Sequence, residues 1–270
     1  MKYLAILPLL MLGIVLLAAG CSAPEAPAMP ATPVPTLTGT LVAPSPFPSA
    51  VPLPPTSAPH PTSTARTAYT SDEINRHFVD LAFSADNSNI RRYSAPLLTV
   101  AITGSYNDAD LAAMNRFFLL FNNNSFNTRL PSEVKQGDQG DIVIRFIPAN
   151  GLAGINTDNT WKVYRNPATG TICYMVRTSS YQTFSTDLIY INADLAGDER
   201  THWLFRSLLN TLGLPGETGT YPESIFYSVN NNMTELGPID LKVMQLLYGN
   251  KITNGMTLDD VRSVLLIRNT

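Results

Sequence analysis

Residues 200–216 read "RTHWLFRSLLNTLGLPG". At about 100° per residue, Leu204, Phe205, Leu208, Leu209 and Leu212 share one arc of a helix, and Trp203, Arg206, Ser207 and Asn210 fall on the opposite side. Arg206 and Asn210 are one turn apart, so both project from the same face. The segment is expected to form a helix, apolar on one side and polar on the other.

The flanking sequence supplies partners for its apolar arc. Thr70 and Glu73 have capping-box spacing, and Ile74, Phe78, Leu81 and Ala82 recur at helical intervals, which predicts a helix over 71–83. Asn107 and Asp108 cap a second helix carrying Leu111, Met114, Phe117, Phe118 and Phe121. Strands are expected at 97–103, 141–148, 171–177 and 187–193. Helices follow at 236–248 and 257–266, beyond a loop around "YPESIFYS". The class is α+β, a single domain over residues 66–270.

Upstream the chain changes character. Met1 and Lys2 precede an apolar run to Leu17 and then Ala18, Ala19, Gly20 and Cys21, the layout of an export signal. Residues 1–21 resemble a lipoprotein signal, with Cys21 as the lipid attachment site. An uncleaved anchor or simple secretion are the alternatives, because the run approaches the roughly 20 residues that span a bilayer. Residues 22–65 hold thirteen of the chain's 21 prolines among Ala, Ser, Thr and Val, a composition that cannot bury a core and reads as a disordered tether. The domain is therefore expected outside the cytoplasm, held to the cell membrane by its N-terminal lipid. With 14% charged residues and a net charge of −3, the chain carries no basic footprint for nucleic acid.

An ordered set of segments carries a family resemblance: "EINRHFVDLAF", "PLLTVAITG", "GDIVIRFIP", "LNTLGLPG", "YPESIFYS" and "IDLKVMQLLYGNKITNGMT". Together they resemble a family of exported proteins of unknown function regarded as relatives of metzincin-type zinc proteases. The resemblance spans about residues 72–262. It implies a zincin-like twisted sheet with packed helices, a site helix and a C-terminal helical part. It also implies an edge strand at Ile189–Asn192 beside the substrate cleft, and places Gly255-Met256 where metzincins carry a methionine turn beneath the metal. A glycine helix stop followed by a helix start at Thr257 accounts for that dipeptide equally well.

Counted from Gly213, the motif H-E-x-x-H-x-x-G puts Arg206, Ser207 and Asn210 where His, Glu and His would stand, with Gly216 or Glu217 near the third ligand. A catalytic zinc usually takes three N, O or S protein ligands plus water. Arg206 is cationic, Asn210 is a poor ligand, and Ser207 cannot accept a proton from zinc-bound water as a glutamate does. No cofactor is expected, and zinc fits this set poorly. If a metal were held, Glu199 and His202, three apart on the helix, with Glu217, would be the candidates. Cys173 sits in an apolar strand and reads as an inert core thiol.

No nucleophile elbow, phosphate loop or metal-spaced cysteine pair is present. Asp187, Asp194, Glu223 and Asp240 could pair for glycoside chemistry only if the fold brings them together. Two function classes follow. One is a membrane-anchored binding or scaffolding module of the cell envelope, whose former cleft at Trp203, Arg206, Ser207 and Asn210 holds a peptide or an anionic group uncut. The other is a peptidase with a non-standard metal site or mechanism.

Overall fold

The computed structural model describes residues 66, 68–84, 87–155, 160–166, 170–177, 186–229 and 231–266. The expected export segment with Cys21 and the expected tether lie outside the described residues. Among the described residues, no helix is long and apolar enough to cross a membrane.

The elements run α1 (Ser71–Ala82), β1 (Val100–Gly104), α2 (Asp108–Asn124), β2 (Lys135–Gln136), β3 (Ile142–Ile147), α3 (Ala149–Leu152), β4 (Thr160–Asn166), β5 (Gly170–Arg177), β6 (Asp187–Asn192), α4 (Gly197–Thr211), α5 (Pro238–Leu247) and α6 (Leu258–Leu265). The fold is mixed α+β. One sheet has the order β2-β1-β3-β6-β5-β4. Strands β1, β2, β3 and β6 are parallel, and β5 and β4 add an antiparallel hairpin at one end.

Alternation along the central strands separates two faces. Ile142, Ile144, Phe146, Ile189 and Ile191 join the main core with Phe78, Leu81, Phe117, Phe121, Leu204, Leu208 and Leu212 from the helices. Leu188, Tyr190, Ile147 and Val163 turn to the opposite face, around Leu152 and Val176. Period-two alternation sorts side chains this way without further instruction. The register slips between Tyr164 and Arg165, whose partners are Cys173 and Thr171, so Ile172 bulges and both Ile172 and Cys173 join the main core.

The capping boxes at Thr70–Glu73 and Asn107–Asp110 form as their spacing predicts. Asp110 also anchors a second helix, because buried Arg200, in the first turn of α4, grips it through Nε at 2.8 Å and Nη2 at 2.7 Å. The same guanidinium donates to the carbonyls of Ser105, Ala193 and Leu195. That bidentate pair fixes the start of α4 against the start of α2 and the end of β6.

The far end of α4 is set by Gly213 at φ +115°, with Gly213 N–H bonded to Asn210 O and Leu214 N–H to Leu209 O, the hydrogen bonds of a Schellman stop. A Cβ there would lie 1.9 Å from the carbonyl oxygen of Arg91. Glycine is required here by backbone conformation and close approach, independently of any ion.

One expectation is corrected. Strand β6 is not an edge: it lies between β3 and β5, and the edge on that side is β4, a strand absent from the sequence-based expectation. Gly255-Met256 closes a turn against Ile90, with Ile90 N–H bonded to Met256 O and Gly255 N–H to Ile90 O, and leads into the capping box of Thr257 and Asp260. Met256 does not line the cleft beside α4.

Candidate functional site

A cleft of about 760 Å3 opens between α4, the β4–β5 hairpin and the loop of residues 217–232. Its helical wall comprises Glu199, His202, Trp203 and Arg206, its sheet wall Val163, Tyr164, Arg165 and Ile172, and its loop wall Glu217, Tyr227, Ser228, Asn231 and Asn232.

Among the described residues, strand β4 pairs only with β5, and no strand lies on its other side. Val163 packs its side chain with Leu152 and Val176 on the far face of the sheet, yet the residue also borders the cleft.

The front of α4 is sealed more tightly than its polar composition predicts. Arg206 is buried; its Nη1 donates to Asn210 Oδ1 at 3.0 Å and its Nη2 to Gly216 O at 2.7 Å, with the guanidinium 4.5 Å from the Phe226 ring centroid. Asn210 Nδ2 donates to the Tyr164 hydroxyl at 2.8 Å. Ser207, fully buried, lies 3.5 Å from the Cys173 sulfur. Burial raises the Tyr164 hydroxyl to about 12 and the Cys173 thiol to about 12, which leaves both protonated near neutrality. Trp203 and Arg206 thus reach the cleft, whereas Ser207 and Asn210 lie behind it.

The donor set does not fit a zinc ion. At the three ligand positions of the motif stand a guanidinium, an amide already committed to Tyr164 and Arg206, and the Gly216–Glu217 segment that the guanidinium itself holds. A cation resident among the would-be ligands repels a second one. Glu199, His202 and Glu217 do line one cleft, but among the described residues no three His, Cys, Asp or Glu groups are placed to hold a metal. Glu217 points instead toward Lys162 Nζ at 3.8 Å and Arg206 Nη2 at 3.9 Å.

His202 is buried, with Nδ1 2.9 Å from Met233 O. A carbonyl only accepts, so Nδ1 carries the hydrogen. Burial, with repulsion from Arg206, lowers its pKa to about 4 against the favourable Met233 contact. The imidazole is neutral near pH 7, standing edge-on to Trp203 at 5.0 Å, while Trp203 leans on Tyr164 at 4.7 Å.

The loop wall is built from within. Asp240, in the first turn of α5, accepts from Ser224 Oγ, Ile225 N–H and Gly237 N–H. Asn231 Nδ2 donates to the carbonyls of Ser224, Ile225 and Tyr227. The four scattered carboxylates do not pair: Asp187 accepts from Tyr93, Asp194 from Ala149 N–H, Glu223 from Tyr69, and Asp240 serves the loop. His77 is buried 3.8 Å from Asp240 and against Tyr221, away from the cleft.

Sequence reasoning missed β4, Tyr227, Ser228, Asn231 and Asn232. A signal for β4 was present, since "TWKVYRN" is rich in β-formers and is followed by Pro167 and Gly170 before the next apolar run. The loop residues carried none. Residues 71–266 match the model of a family described as "Protein of unknown function (DUF2927)". No curated protein matches the chain.

Proposed function

We propose, for a chain that belongs to the DUF2927 family, a role drawn from its cleft: a domain that binds an extended peptide or protein segment without cutting it. The observation that carries this is the outermost strand β4, which has no strand beyond it among the described residues and whose Val163, Tyr164 and Arg165 border the cleft. An extended segment laid beside β4 gains a ladder of backbone hydrogen bonds, and side chains alternate toward the cleft and away from it. Trp203 and Tyr227 supply aromatic surface for them.

The finer relationship, a zincin-like fold with a degenerate protease site, belongs to the same proposal. It is supported by α4 packing beneath the antiparallel hairpin and by the grouping of Arg206, Asn210 and Gly216 at the three ligand positions, with the guanidinium at their centre. The setting proposed is the outer side of a cell membrane, with Cys21 lipidated, residues 22–65 as tether and residues 66–270 as the domain. The alternative is a peptidase with a non-standard site, favoured only by Glu199 and neutral His202 sharing the cleft.

The test uses the full chain purified in detergent and a pool of hexapeptides randomised over Val, Ile, Thr, Tyr and Ser. Slowed amide exchange across residues 160–166, with intact peptides and loss of the effect in Trp203→Ala, is the expected result. Peptide fragments in the mass spectrum would favour the peptidase. Neither protection nor cleavage would sink both readings.

A further inference from the structure

The cation at the bottom of the cleft is poorly matched. Arg206 is a charged side chain only 3% exposed, and its one acidic neighbour among the described residues is Glu217, at 3.9 Å, beyond hydrogen-bond length. Glu217 is shared with Lys162, at 3.8 Å, and is itself 41% exposed. Two cations therefore face one carboxylate that touches neither closely. The other atoms on the guanidinium, Asn210 Oδ1 and Gly216 O, carry no formal charge, and the Phe226 ring supplies only a quadrupole. A buried charge is costly until it is well paired.

We propose that Lys162 and Arg206 form a carboxylate subsite at the end of the β4 groove, and that Glu217 is a tethered stand-in which a ligand's carboxylate displaces. This deepens the peptide-binding role and rests on it. The ligand is an extended peptide anchored by a carboxylate, either its own C-terminus or an Asp or Glu side chain. Lys162 lies on β4, with Nζ 5.0 Å from the Tyr164 ring centroid on the α4 side of the hairpin. A segment paired along β4 thus passes the two cations. Glu217 is joined to Gly216, whose carbonyl Arg206 holds, so the stand-in can swing aside without unfastening the loop. Electrostatic complementarity then selects acidic partners over neutral ones.

The experiment compares the same randomised hexapeptide pool in three forms: free acid, C-terminal amide, and amide with one internal Glu. Binding to the full chain in detergent is read by fluorescence polarisation. The free acid or the Glu-bearing amide should bind about tenfold tighter than the plain amide, the difference made by one charge-assisted contact. Whichever form gains identifies the source of the carboxylate. Glu217→Gln removes the competitor, so it should widen the preference for the acidic form over the plain amide several-fold. Lys162→Gln, at a partly exposed position, should erase the preference without unfolding the protein.

Equal binding of all three forms to wild type and Glu217→Gln would overturn the subsite while leaving edge pairing intact. No binding of any form to the folded protein would overturn the peptide-binding role itself, and the subsite with it.

Discussion

Replacing His202 with Asn should remove an acid sensitivity built into α4. In the folded protein the imidazole is buried, gives its Nδ1 hydrogen to Met233 O and lies near the Arg206 charge, and its pKa falls from 6.5 to about 4. In the unfolded chain it returns to its ordinary value. Between the two values the unfolded state binds the proton and the folded state refuses it, so stability falls as pH falls. The loss begins near pH 6.5 and is complete below about pH 4. At about 1.4 kcal/mol per tenfold change in proton affinity, it amounts to about 3 kcal/mol. His202 is only 2% exposed, so solvent screening does not reduce the figure appreciably. Asparagine keeps a short donor for the Met233 carbonyl and does not titrate. Urea unfolding of wild type and His202→Asn from about pH 7.5 to about pH 4 isolates the effect, because other carboxylates titrate alike in both. The stability difference between the proteins should shift by about 3 kcal/mol in favour of the variant on acidification. A difference that stays flat with pH would refute the neutral, Met233-bonded imidazole.

Two further substitutions test the frame that holds α4. Arg200→Met leaves the buried Asp110 carboxylate without its cation and removes the guanidinium from three carbonyls, and should cost about 3–5 kcal/mol by urea denaturation; a loss under about 1 kcal/mol would show that the pair does not hold the start of α4. Gly213→Ala meets both a positive φ and the Arg91 carbonyl, and should lower stability by more than about 2 kcal/mol. A melting temperature unchanged from wild type would contradict the close approach of α4 to the 87–93 segment.

Much of this architecture is local in origin and legible in the sequence. The caps at Thr70 and Asn107 and the stripe of Phe117, Phe118 and Phe121 are i to i+3 or i+4 relationships. The apolar arc from Leu204 to Leu212 is another, and all five of its residues are buried in the core cluster. The departures are non-local. Ile189–Asn192 is the edge only if no strand pairs on its outer side; β5 pairs there with β6 and β4 with β5, so among the described residues the outer strand stands two places further out. Helical periodicity alone leaves the polar arc of α4 facing open space. Burial of Ser207, Arg206 and Asn210 depends on the hairpin folding over them, which no periodicity within the helix records.

The sequence by itself determined every described helix but the short α3, the caps at Thr70 and Asn107, the inward arc of α4 and the poor fit of Arg206, Ser207 and Asn210 to zinc, because each follows from side-chain chemistry or from spacing within a few residues. Only the tertiary structure decided which strand has a free edge, that Arg206 holds Asn210 and Gly216 together, that Glu217 stands between two cations, and why Gly213 must be glycine. Those facts depend on groups far apart in the chain meeting within about 4 Å, and such meetings are selected by the packing of the whole core.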